Sequence, residues 1–546
     1  MFSLESAVPA GCKIPSVPDE VSNQPPPLVD YNLFATDRPL RDAVTREGAA
    51  WACAQLERFG GTLGTAETME WGTLANEYPP VLRTHDRYGR RRDEVEFHPA
   101  WHHLMRLAVE QGIHNLPWAC PRPGAHVARA ALAILAAENE AGHMCPISMT
   151  YSAAPVLRQH EAIAGEWMPR LCSTRYDPSF RPPASKQGVL LGMAMTEKQG
   201  GSDVRANITR AEPLSGDQFA LHGHKWFCSA PMCDAFLVLA QAPRGLSCFL
   251  LPRWKPDGTV NAFHLQRLKP KLGNRSNASS EVEFHGAWAR LIGEEGRGVR
   301  TIMDMVQHTR LDCILASAAL MRRALVEALH HAAYRFAFGR ALLHQPLMRN
   351  VLADLALESE AATVLAMRLA RAFDENDHSF ARLAVAVGKF WIAKRTPAHV
   401  AEALECLGGN GFVEESVLPR LYREAPLNSI WEGSGNVIAL DVLRAIVKEP
   451  ESLERVLAEV RSAADQRVEA FLDGLHGDVS ETGARRVAER LAMALQASLL
   501  IRFSPPAVAD AFCASRLAGD WGRAFGTLPA AAAIDRVLDT VSPALY

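Results

Sequence analysis

Between about Arg41 and Leu171 the apolar residues return at three- and four-residue intervals, the period of helices that bury one face. Val127, Ala131, Ile134 and Leu135 fall on one such stripe within residues 125–141, and Gly142 ends it. The pattern changes at Tyr176–Gln187, where prolines gather and apolar residues thin out, as in a linker. After it come short apolar runs separated by turn residues. Ile208–Ala211 and Gln218–Trp226 flank the turn Leu214-Ser215-Gly216-Asp217, and Phe236–Gln241, Ser247–Leu251 and Val282–Phe284 continue at strand length. Residues 188–290 therefore predict a small antiparallel β domain. From Val299 the helical period resumes through Leu311, Ile314, Ala318, Met321, Leu325, Leu329, Ala332 and Phe336. Two more long helices are expected near Leu347–Phe373 and Leu383–Leu407, and a last one near Val437–Val447, which together suggest an up-and-down bundle. Beyond Pro450 the stripe Val487, Leu491, Leu495, Leu499 predicts further helix.

These periods give an α+β class and a division into an extended arm (1–30, with Pro25-Pro26-Pro27), a helical domain (31–187), the β domain (188–290), a four-helix domain (291–447) and an extra helical domain (448–546). A chain of 546 residues with 48% hydrophobic and 22% charged residues is too apolar for wholesale disorder. Its net charge of -3 argues against a polycationic nucleic-acid coat. Eleven cysteines without a C-x-x-C pair make neither a disulfide framework nor a zinc ribbon, so free thiols in a reducing cytoplasm are expected. No apolar run reaches membrane-spanning length, and no leader is expected. The histidine pairs His102-His103 and His330-His331 lack ligand spacing, so no metal site is expected.

No P-loop, G-x-S-x-G, H-E-x-x-H or strand-anchored G-x-G-x-x-G occurs. Three segments carry candidate chemistry. Met195–Asp203, MTEKQGGSD, leaves a strand for a loop whose glycines can bring backbone N–H groups close to a ligand, although it also reads as a plain hairpin loop. His224–Ser229, HKWFCS, puts Trp226 and Ser229 on a strand, a pattern that taken alone favours core packing. Asn428–Asn436, NSIWEGSGN, sets Glu432 between a tryptophan and a glycine just before a helix, where it could serve as a base or Ser434 could simply cap the helix.

With these three segments in that order, the sequence resembles the acyl-CoA dehydrogenase flavoproteins over about residues 45–447. Arg335-x-x-Phe338-Gly339 and Leu407-Gly408-Gly409-Asn410-Gly411-Phe412 match further signatures of that family. Within it, MTEKQGGSDV, LGNRSNASSEVEF (272–284), LPRLYRE (418–424) and the C-terminal extension are most similar to the AidB-type alkylation-response branch. The resemblance implies FAD between the β domain and the bundle, with Met195, Thr196, Gly201 and Ser202 at its ring and pyrophosphate, and Trp226, Phe227 and Ser229 at the isoalloxazine. It implies that Arg335, Phe338, Gln345, Gly408 and Gly409 reach the FAD of a neighbouring subunit, hence a homodimer or a homotetramer built as a dimer of dimers. Glu432 would be the catalytic base, Trp431, Gly433, Ser434 and Asn436 would adjoin the flavin, and Arg310 would face substrate. Thr309 stands where some members carry the base instead, and it cannot fill that role. Two departures accompany the match: Phe338 to Gln345 is one residue shorter than the usual pattern, and Glu405 replaces a glutamine before the Gly-Gly pair.

The implied reaction is α,β-dehydrogenation of a short branched acyl-CoA resembling isovaleryl-CoA, and the branch also implies double-stranded DNA binding through the C-terminal domain. Arg444, Arg485, Arg486, Arg490, Arg516 and Arg523 are the candidate DNA contacts. Residues 445–546 hold eleven basic and fourteen acidic side chains, an unfavourable balance for that role. An ordinary metabolic acyl-CoA dehydrogenase without DNA binding is the alternative.

Overall fold

The computed structural model describes residues 21–474 and 480–541. The first twenty residues of the expected arm and the chain's last five thus lie outside the described residues. Asn23 to Pro26 run along the end of the bundle, where the Pro26 carbonyl meets His330 Nε2 at 2.8 Å.

The N-terminal part is helical as its period predicts, with one addition: β1 (Val81–His85) and β2 (Arg91–Glu96) form an antiparallel hairpin. Its charged residues gave no period-2 stripe to detect. Two helices, Ala125–Asn139 and Met144–Leu157, are buried along nearly their whole length. The first helps to fill the bundle core and the second packs on the β domain.

The middle domain contains β3 (Leu191–Ala194), β4 (Arg210–Pro213), β5 (Gln218–Ser229), β6 (Ala235–Ala242), β7 (Gly245–Pro252), β8 (Phe263–Leu268) and β9 (Ser279–Ile292). The expected antiparallel sheet is corrected in one respect. β3 runs parallel to β6, from Leu191 opposite Ala235 to Ala194 opposite Val238, and β4 touches β6 in the same sense. The other pairings are antiparallel, and β4, β5, β9, β7 and β6 join into a ring. β6 has six consecutive buried residues, which explains its unbroken apolar run.

The bundle helices span Gly298–Tyr334, Pro346–Asp374, His378–Cys406 and Gly435–Lys448. At 37 residues the first is about 55 Å long. Beyond it, Val487, Leu491, Leu495 and Leu499 are buried on the helix Ala484–Phe503, and their core is continuous with that of the bundle. The C-terminal extension is therefore welded to the bundle instead of standing apart from it. No helix among the described residues is long and apolar enough to cross a membrane.

Candidate functional site

β3 delivers the chain to Met195 and Thr196, both half-buried, and then to Glu197, which is fully buried. The Glu197 carboxylate accepts from Lys225 Nζ at 2.7 Å and from the Ile208 backbone N–H at 2.7 Å, while Lys225 also donates to the Leu239 carbonyl at 2.7 Å. Burying both charges is costly, and full hydrogen bonding offsets that cost. Burial alone would raise the Glu197 pKa, but the adjacent ammonium outweighs it and holds the carboxyl at about 2. Burial draws Lys225 down to about 8 against the pull of that same carboxylate. The Trp226 N–H donates to the Thr196 carbonyl at 2.8 Å. The 195–203 loop and the 224–229 strand are thus one structure, stapled underneath by an ion pair.

Above the staple the backbone is open. Gly200, Gly201 and Ser202 are exposed, and a Cβ on Gly201 would lie 2.4 Å from Thr196 Oγ1, so only glycine fits there. Trp226 is half-buried with Lys269 Nζ 3.6 Å from its ring centre, and Phe227 is 48% exposed. Ser229 Oγ lies 3.3 Å from Ser279 Oγ, which accepts from Lys271 Nζ at 2.9 Å.

Glu432 sits on a turn between Leu427–Ser429 and the last bundle helix, with φ of 57°. That left-handed conformation costs a non-glycine residue about 1–2 kcal/mol and persists only where its surroundings enforce it. Three successive carbonyls supply the enforcement. The buried Lys389 ammonium donates to those of Trp431, at 2.8 Å, and Gly433, and Arg310 Nε donates to that of Glu432 at 3.2 Å. Thr309 Oγ1 donates to Glu432 Oε2 at 2.6 Å. Burial raises the Glu432 pKa above the ordinary carboxylate value, against the Thr309 hydrogen bond and the Lys389 and Arg310 charges. A carboxylate so poised can take a proton from a weak carbon acid near neutral pH.

The two halves meet. Trp431 packs against the β-domain core, as does Met195. The buried Cys145 thiol, pushed up to about 12 by burial, feels the charges of Lys271 and Glu432. Gly433 adopts φ of 105°, Ser434 is half-buried without acting as a side-chain cap for the following helix, and Asn436 is exposed at that helix's start.

Arg310 is engaged with the turn: its Nη1 donates to the buried Asp441 at 2.7 Å and its Nε to the Glu432 carbonyl. Arg335 Nη1 donates to the Asn23 carbonyl at 2.6 Å, within its own chain. Phe338 is 97% exposed with φ of 52°, Gln345 Nε2 closes that loop on the Ala337 carbonyl at 3.0 Å, and Gly408 and Gly409 are exposed with open space above them.

Among the candidate DNA contacts, Arg516 is a correction. It is buried and paired with Asp354 and Glu358, and its guanidinium lies 4.1 Å from the Trp521 ring centre. Arg490 is half-buried, donating to the Phe471 carbonyl and lying 4.1 Å from that residue's ring. Arg444, Arg485, Arg486 and Arg523 are exposed.

Sequence reasoning missed Lys389, the Glu197–Lys225 pair and the supporting role of Thr309. One signal was present: Lys389 stands alone in the apolar run AVAVGKFW, where a solitary cation must find buried acceptors.

A three-part body of helical domain, β ring and bundle, with a clamped glutamate where the last two meet, defines a member of the acyl-CoA dehydrogenase family of oxidoreductases. Family models for the acyl-CoA dehydrogenase middle and C-terminal domains match residues 192–287 and 296–447. The model of the adaptive response protein AidB N-terminal domain matches residues 23–178. The chain is 49% identical to AidB of Escherichia coli (strain K12) over 505 residues, covering 90% of this chain and 93% of that protein, and it belongs to the AidB-type branch of the family. It is also 31% identical to acyl-CoA dehydrogenase family member 11 of Caenorhabditis elegans, over 86% of this chain and 78% of that one. The crystal structure of ACDH-11 from that nematode in complex with C11-CoA superposes with a TM-score of 0.82 at 27% identity, covering 94% of each chain.

Proposed function

We propose that this chain binds FAD, the cofactor of its family, beside Trp226 and the 195–203 loop, and that Glu432 is the base that takes the α-proton of an acyl-CoA thioester. The observation that carries this is the Glu432 turn: a carboxylate held by Thr309, its backbone locked by Lys389 and Arg310, its proton affinity raised by burial. The residues fit the cofactor. Exposed backbone at Gly200–Ser202 suits a pyrophosphate, and the indole of Trp226 offers a flat surface at the end of the loop. Bound there, FAD would supply the hydride acceptor for the β-hydrogen. The chain's own residues orient the thioester, exclude water and hold the abstracted proton on a Glu432 oxygen.

The substrate reading is a short branched acyl-CoA such as isovaleryl-CoA, with the C11-CoA of the nematode relative as the competing class. Anaerobic mixing with each thioester separates them: bleaching of the flavin by isovaleryl-CoA and not by C11-CoA supports the first reading, and the reverse removes it.

Subunit contact through Phe338 draws support from the apolar side chains left exposed at that end of the bundle, Phe336, Phe338, Leu347 and Phe412 among them. A dimer or larger oligomer in sedimentation tests it. A duplex-DNA surface rests on Arg444, Arg485, Arg486 and Arg523, and its test is a steep salt dependence of binding.

A further inference from the structure

A cavity among the described residues involves none of the residues placed at Glu432 or the 195–203 loop. It has a volume of about 580 Å³ and opens between the start of the helix Ala125–Asn139 and the end of the second bundle helix. Trp118, Phe373 and His126 contribute to its walls. A smaller cavity of about 150 Å³ adjoins it, sharing Glu47, Arg371 and Glu375, and reaches the C-terminal extension at Arg455, Glu459 and Arg502.

Positive charge dominates both. Seven arginines line the two cavities against four carboxylates. The carboxylates are already committed. Asp374 accepts the backbone N–H groups of His126 and Val127, at 2.9 and 3.0 Å, and so caps a helix. Glu459 is shared by Arg368, Arg455 and Arg502 at 2.9, 3.3 and 2.8 Å. Glu47 serves Arg46 and Arg371, and Glu375 serves Arg371. Two donors are left over: Arg46 Nη2 and Arg368 Nη1 are buried without a hydrogen-bond partner, and Arg368, only 4% exposed, has the Glu375 carboxylate 3.9 Å from that Nη1. Such an orphan costs on the order of 1–3 kcal/mol, which an anionic oxygen would recover. In the larger cavity, the exposed Arg158 lies over the Trp118 ring at 5.1 Å and donates to the Trp118 carbonyl at 3.4 Å.

We propose that the two cavities form one binding site for a nucleotide-like ligand, its aromatic ring beside Trp118 and Phe373 and its phosphates among Arg368, Arg371 and Arg502. The site joins the N-terminal domain, the bundle and the C-terminal extension, and its assignment does not depend on the role given to Glu432. The probe is ADP, titrated calorimetrically into the full chain with its flavin site saturated, alongside pyrophosphate and adenosine. ADP is expected to bind at least tenfold more tightly than either fragment. Arg158→Glu and Arg371→Gln, both at solvent-accessible side chains, are each expected to weaken ADP at least tenfold while flavin content and circular dichroism stay unchanged. Absence of ADP binding, pyrophosphate binding as tightly as ADP, or equal ADP affinity in wild type and both variants would overturn the assignment.

Discussion

Replacing Glu432 by glutamine tests the base directly, because the amide keeps the shape and its carbonyl can still accept the 2.6 Å hydrogen bond from Thr309. What it loses is the ability to hold a proton. General-base contributions of about 10² to 10⁴ in rate correspond to roughly 3–6 kcal/mol of transition-state stabilisation at about 1.4 kcal/mol per decade. The backbone clamp by Lys389 and Arg310 involves carbonyls alone, so the turn and the flavin loop should be undisturbed. Stopped-flow reduction of the bound flavin under anaerobic conditions should therefore slow by two to four decades at constant flavin content. A pH series adds an independent readout. The base must be ionised to work, so the wild-type rate should fall as pH drops through the raised Glu432 pKa. Thr309 lowers that pKa by donating to the charged form, so Thr309→Val should move the acid limb to higher pH. A Glu432→Gln enzyme that reduces its flavin at the wild-type rate, or an acid limb that ignores Thr309→Val, would remove Glu432 from the chemistry.

Gly201→Val would place a side chain where even a Cβ comes within 2.4 Å of Thr196 Oγ1, and purified protein should carry much less flavin by absorbance without losing its fold by circular dichroism. Arg516→Met removes the guanidinium shared by Asp354 and Glu358, leaving Glu358 with Arg395 and Asp354 with the Trp521 and Gly526 N–H donors, and should cost about 3 kcal/mol in denaturant unfolding. Burial raises the Glu358 pKa, but Arg395 and Arg516 outweigh it and hold the carboxyl at about 2. The stability this supplies is present above the unfolded value near 4.5 and is lost as pH falls toward 2, so the gap between wild type and variant should narrow over that range. Arg485→Glu with Arg486→Glu should flatten the salt dependence of duplex binding in fluorescence anisotropy, whereas no slope in the wild type would end the DNA reading.

What the sequence made legible follows from where each signal is written. The bundle and the β ring announce themselves through long stripes and buried runs such as Leu311 to Leu329 and Phe236 to Ala240, because burial along a regular element repeats with that element's period. The hairpin at 81–96 was hidden by its charges, and the parallel pairing of β3 with β6 depends on partners more than forty residues apart. At the site, Glu432 and the 195–203 loop were legible as local motifs, but the residues that make them work were not. Lys389 reaches the Trp431 carbonyl from 42 positions upstream and Thr309 reaches Glu432 from 123, and Arg516 passes for a surface cation until Asp354, 162 residues away, is seen beside it.

The same separation explains why Glu432 tolerates a backbone that disfavours it. A local sequence cannot hold φ at 57° on a glutamate, whereas a buried ammonium and a guanidinium from two other helices can, by seizing three consecutive carbonyls. Each supporting charge then acts twice, fixing the backbone and lowering the Glu432 pKa against the rise that burial imposes. Removing Lys389 should loosen the turn and shift the acid limb upward together, which a purely structural lysine would not do.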